Sequence, residues 1–165
     1  CWHDPVAFIW EKGDGAMAIV KGTVVKGHRV ASEESQDPRY PHGTIAMQVP
    51  KFMQLGLDLL GFHKGTVNVS VSPLQFKVIK PVIAFNDVKW TDNAPPEDFS
   101  FCDAKISLDG KKWHSGYVYY PHPETKPEHF QSPGVIELIM PHIPGIEYGT
   151  ELMMDIPEEQ MVFFE

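Results

Sequence analysis

From Lys64 to Val71 the chain reads KGTVNVSV, with apolar Val67, Val69 and Val71 alternating with polar Thr66, Asn68 and Ser70. A two-residue period belongs to a strand whose side chains point alternately to opposite faces. Thr66, Asn68 and Ser70 therefore share one face. Comparable apolar runs predict further strands at 16–25, 43–49, 76–85, 99–108, 111–120, 135–141 and 151–156. Pro81 divides the 76–85 run, because proline donates no ladder hydrogen bond. Asp109-Gly110 predicts a hairpin with a type I′ turn, whose central residues both need positive φ. One stretch has helical spacing instead. In PKFMQLGLDLLGF, 50–62, Phe52, Leu55, Leu59 and Phe62 form a stripe that Met53, Leu57 and Leu60 widen. Pro50 suits the first helical position and Gly61 a stop. Many short strands and one main helix predict a mainly β fold, a small barrel.

The length of 165 residues fits a single domain over 1–165 with its own core. No apolar run approaches the roughly 20 residues that span a bilayer, and CWHDPVAFIW lacks the basic start and long apolar middle of a signal peptide. The chain opens on Cys1 rather than Met. A formal net charge of −8 argues against bulk nucleic-acid binding, which needs Lys and Arg against phosphates. It leaves room for a small anionic ligand held by backbone N–H groups or by a metal. Cys1 and Cys102 are too few for a disulfide scaffold and form no CxxC pair. The expectation is a reduced, cytoplasmic protein with a small-molecule partner, no nucleic acid and no membrane. Three segments read as long loops of the kind that often bind ligands: 29–43, 87–99 and 120–134.

The chemistry-bearing residues are few. Thr66 and Asn68 offer a hydroxyl and an amide carbonyl, hard oxygen donors of the type that Mg2+ accepts together with water and phosphate. Gly65, just before them, would let a phosphate approach the backbone. The same pattern also fits a strand with one wet face. Glu137 is a carboxylate inside the apolar strand VIELIMP. A buried carboxylate must be paired, hydrogen-bonded or raised in pKa. It reads either as a group that orients or activates a ligand hydroxyl or as an edge residue facing solvent. Of eight histidines, His42, His122 and His129 sit in or beside the loops, where Glu124 or Glu128 could join them at a metal. No HxH, HExxH or HxxxH pair exists, and a solvated loop histidine is the plainer reading. The aromatic run YVYYP with Trp113 fits a stacking platform for a planar ring or simply a core strand. G-x-S-x-G, Walker A and G-x-G-x-x-G are all absent from the chain.

Taken in order, these pieces resemble one family, the CTP-dependent riboflavin kinases of archaea. Its hallmark P-G-T-L-N enters a strand after a helix, as KGTVNVSV follows PKFMQLGLDLLGF here. A strand pair ending in proline, a loop with Thr and a basic or His residue, and an E-I-I-A-P strand follow in the family. Here they correspond to FSFCDAKISLDGKKWHSGYVYYP, HPETKPEHF and VIELIMP. The likeness covers roughly residues 20 to 157. It departs at Lys64, where the family has proline. It departs again where KGHRVASEESQDPRYPHG, which keeps Gly27, replaces a glycine-rich G-x-G-E-G segment that cradles the nucleotide.

The resemblance implies a six-to-eight-stranded cradle-loop β-barrel with one main helix, and a phosphotransferase that makes FMN from riboflavin and CTP. It implies that Thr66 and Asn68 hold Mg2+ beside the phosphates. Gly27 and Gly65 would lie at the nucleotide, Thr125 and Glu137 at the flavin, with Glu137 taking the catalytic role. Two other readings stand beside it: a metal-dependent enzyme that uses the loop histidines, and a non-catalytic ligand-binding or oligomeric barrel. In the last, the apolar tail QMVFF, 160–164, would pack on another subunit.

Overall fold

A computed structural model describes residues 10–11, 17–26, 44–63, 65–92, 95–122 and 134–165. Its strands are β1 (Trp10–Glu11), β2 (Met17–Val25), β3 (Val67–Ser70), β4 (Gln75–Val78), β5 (Ile83–Val88), β6 (Glu97–Ser107), β7 (His114–Pro121), β8 (Val135–Ile139), β9 (Glu151–Pro157) and β10 (Met161–Phe164). One helix, α1 (Thr44–Gln54), precedes β3. Pairing runs β2-β3-β8-β7-β6-β9 and returns to β2, so six antiparallel strands close a barrel. The long β6 makes this possible. Its first part pairs with the additional strand β5, and its last three residues pair with β9. The barrel class expected from the alternating runs is therefore present.

Alternation fills the interior. Val20 and Val24, Val69, Ile136 and Leu138, Val118, Cys102, Ala104 and Ile106, and Leu152, Met154 and Ile156 come from all six barrel strands and form one buried cluster. Each large apolar side chain buried in this way contributes roughly 1.5–3 kcal/mol. Where β7 crosses β8 the backbones are too close for a side chain. A Cβ on Gly116 would run into the carbonyl oxygen of Ile139 and the Met140 sulfur. The strands β4 and β10 form a separate two-stranded ribbon, and Met161, Phe76, Val78 and Phe163 from it pack on the interior cluster. Met161 is buried, Val162 and Phe163 are half-buried, and Phe164 at the end of β10 is exposed.

Two local expectations are corrected. The helix covers Thr44–Gln54, not 50–62, and the run 43–49 is its first half rather than a strand. Thr44, Ile45 and Val49 gave that run a β character, but Ile45, Gln48 and Phe52 recur three and four residues apart and are all buried. Packing of that stripe on the barrel overrides local propensity. Pro50 sits inside the helix with an exposed ring. The stop is Gly56, at φ 105°, rather than Gly61. Leu57 N–H donates to Phe52 O at 2.9 Å and Gly56 N–H to Met53 O at 3.1 Å, which is a Schellman motif with Phe52 and Leu57 in one buried cluster.

The second correction is the 108–113 turn. Gly110 has positive φ but Asp109 does not, so the hairpin is not type I′. Instead the Asp109 carboxylate accepts the N–H groups of Lys111 and Lys112 at 2.8 and 3.0 Å. A local side-chain acceptor has replaced the tight turn. Pro81 does separate β4 from β5, as expected.

Candidate functional site

The outward side of the barrel wall is covered by α1 and the segment after it. Ile45, Phe52, Leu57 and Leu59 pack there on Phe99 and Phe101 of β6, Tyr119 of β7 and Ile139 of β8. Phe52 meets Phe99 and Phe101 edge-on, with ring centroids 5.0 and 5.2 Å away. The candidate site lies at the margin of this layer.

Register builds it. β3 and β8 are central strands, and Asn68 stands directly opposite Glu137. Side chains at opposed positions have Cβ atoms about 4.5–5.5 Å apart. Thr66, two residues before Asn68, donates its hydroxyl to Glu137 Oε1 across a long 3.5 Å contact. Thr66, Asn68 and Glu137 thus gather on one face, with a buried Gly65 at its entrance. Ser70 takes a different job, since its hydroxyl accepts the N–H of Ser72 at 3.4 Å. Glu137 is 9% exposed in a strand paired on both sides, which removes the solvent-edge reading.

A buried polar seam leads away from Glu137. Tyr119 O–H donates to Gln48 Oε1 of α1 at 2.5 Å, and Trp90 Nε1–H donates to Glu97 Oε2 at 2.5 Å. All four residues are buried. Burial pushes the Tyr119 phenol well above its ordinary value, and the negative charges of Glu137 and then Glu97 push it further. The phenol therefore stays protonated and keeps its role as donor. Sequence reasoning missed this seam. Glu97 fell in an expected loop and Gln48 in an expected strand. Had the helix been read from Thr44, a glutamine between Ile45 and Phe52 on the buried stripe would have signalled it.

Beside Ile139, two residues along the same face from Glu137, runs an apolar groove of about 250 Å³. Val49, Met53, Leu59, Phe62 and His63 line it with Ile139. The aromatic run divides. Tyr117 and Tyr119 belong to the layer under α1, while Tyr120 packs edge-on against Phe76 and His122. Tyr119 is a core ring, whereas Tyr117, Tyr120 and Trp113 are half-buried.

Gly27 and Thr125 lie outside the described residues, as do His42, His129, Glu124 and Glu128. His122 is described, and its Nε2 is 2.7 Å from Ser100 Oγ. Among the described residues no group of three or more His, Cys, Asp or Glu is placed to hold a metal ion. Cys102 is buried in the interior, and burial, with Asp103 adding to it, pushes its thiol up to about 12. No helix among the described residues is long and apolar enough to cross a membrane. No protein-family model matches the chain, and neither does any curated protein or solved structure.

Proposed function

We propose that this barrel is a phosphotransferase of the riboflavin-kinase kind, acting where Thr66, Asn68 and Glu137 meet. The observation that carries the reading is the register of β3 against β8, which sets Asn68 opposite Glu137 with Thr66 in contact. The Thr66 hydroxyl and the Asn68 amide carbonyl are hard oxygen donors that fit Mg2+ together with water and phosphate, and the Glu137 carboxylate beside them is left to act on the acceptor. Bound there, Mg2+ would supply neutralisation of the triphosphate charge.

The remaining work falls to the protein. Thr66 and Asn68 hold the phosphate end, and Gly65 lets that end approach the backbone. Glu137 orients the acceptor hydroxyl and takes its proton as the hydroxyl oxygen attacks the terminal phosphorus. The new P–O bond forms as the bond to the bridging oxygen breaks, and the nucleoside diphosphate leaves with that electron pair. Such catalysis rests on positioning more than on covalent chemistry. The groove beside Ile139 offers the acceptor an apolar surface.

The test is turnover of riboflavin with CTP, with and without Mg2+, followed by FMN formation. Wild-type protein is expected to form FMN only with Mg2+. Glu137→Gln should lower kcat by about 100-fold or more, within the range for loss of a general base. Thr66→Ala/Asn68→Ala should abolish a Mg2+-dependent thermal shift with CTP. Wild-type protein that neither turns over nor shifts with any nucleotide or flavin in the presence of Mg2+ would overturn the reading.

A further inference from the structure

A second pair of metal-ligating side chains lies at the rim of the apolar groove, where His63 is a lining residue, and takes no part in the phosphoryl-transfer chemistry itself. Phe62 and Pro141 form an isolated antiparallel bridge, and His63 N–H donates to Met140 O at 2.9 Å. These two links fix the chain at His63 against the chain at His142. Both imidazoles project from the exposed surface, with ring centroids 6.3 Å apart and planes tilted by 56°.

We propose that His63 and His142 form a two-histidine site for a divalent transition-metal ion. A zinc ion with Zn–N distances of about 2.0–2.1 Å would hold two ring centroids about 5 Å apart at a tetrahedral angle and about 6 Å apart at a wider one. The observed 6.3 Å is wider than both, so the two exposed side chains must rotate to bring one nitrogen of each ring onto a shared ion. The backbone need not move, because the bridge already sets the approach. Once one imidazole has bound, the second binds intramolecularly, which raises affinity above that of single surface histidines. Water completes the coordination, in keeping with the absence of a three-residue cluster among the described residues.

The site differs in chemistry from the oxygen donors at Glu137. Imidazole suits Zn2+, Ni2+ and Cu2+, whereas carboxylate, carbonyl and water suit Mg2+. The two sites should therefore be filled by different ions, and loss of one should leave the other intact. The inference does not depend on the proposed phosphoryl transfer.

The experiment is a titration of the full chain, in a Cys1→Ser background, with ZnCl2 and separately with NiCl2. Binding is followed by calorimetry and by the histidine ring signals in NMR. The expected result is one saturable site in which the ring signals of His63 and His142 move together before those of the other histidines. His63→Ala and His142→Ala should each weaken that site at least tenfold, and the double variant should weaken it little further. Both side chains are exposed, so the variants should keep the wild-type melting temperature, and that is checked first. The proposal fails if the first equivalent of metal moves other histidine signals and leaves these two in place. It fails equally if either single variant binds as wild type does.

Discussion

The two faces of the barrel wall solve the burial problem differently. Inside, alternate residues of six strands form an almost wholly aliphatic cluster of Val, Ile, Leu, Met and Ala. Outside, under α1, the layer is aromatic, and Gln48, Glu97, Tyr119 and Glu137 are buried with it. An interior sealed on every side gives polar groups no route to solvent or ligand, so burying them there would cost free energy for nothing gained. The helix-covered face has margins. Polar side chains there can be satisfied by partners on α1 and still reach an edge where a ligand can bind. The candidate site lies at that edge.

The comparison is tested most sharply by removing one large side chain from each face. Phe52→Ala should cost about 3–5 kcal/mol, and Leu138→Ala about 2–5 kcal/mol, in denaturant unfolding. Hydrogen exchange should tell them apart: Phe52→Ala exposes α1 first, while Leu138→Ala loosens β3 and β8 together. Equal, global loss of protection in both would show that the two layers form one cooperative unit and dissolve the distinction.

A smaller effect is expected within the polar seam. Tyr119→Phe removes the donor to Gln48 and leaves a buried acceptor, at a cost of about 1–3 kcal/mol. Adding Gln48→Met should recover most of that loss, since replacing both partners with apolar groups is nearly neutral. If the double variant is no more stable than the single one, Gln48 has a further role at the site.

Cys102 probes the sealed interior. Its thiol is held neutral up to about 12, and the thiolate is the reactive form. In a Cys1→Ser background the native protein should resist thiol reagents at neutral pH and react only on unfolding. A raised folded-state value also fixes the sign with pH. The contribution is intact below the ordinary thiol range and is lost as pH rises toward about 12. Rapid native labelling would mean that the interior opens without global unfolding.

The smallest effect belongs to the exposed 108–113 turn. The N–H groups of Lys112 and then Lys111 donate to Asp109 and hold its carboxyl below the ordinary value. A depressed folded-state value stabilises above the ordinary carboxylate range, and that support is lost as pH falls through it. Asp109→Asn should therefore lower the melting temperature slightly at neutral pH, and the difference should shrink as pH falls below the ordinary carboxylate value toward the lowered one. A difference that persists in acid would assign the effect to something other than charge.

How far the site was legible varies residue by residue. Alternation in KGTVNVSV put Thr66 and Asn68 on one face, and a lone carboxylate in VIELIMP marked Glu137. Their meeting was not legible from periodicity, because a strand's period says nothing about which strand lies beside it or in what register. The helix was misplaced because β-branched residues and a proline obscured a stripe that exists only against the barrel. Gln48, Glu97 and Trp90 were missed for the same reason, since each is recognisable only by what packs over it.

The sequence by itself determined the class of fold. Two-residue alternation, the break at Pro81 and the scarcity of helical spacing are local properties, set by covalent geometry and side-chain polarity. Only the tertiary structure decided closure of the barrel, the position of α1 and the pairing of Asn68 with Glu137. Those depend on contacts between residues dozens of positions apart, and their free energy comes from burial that no single segment achieves alone.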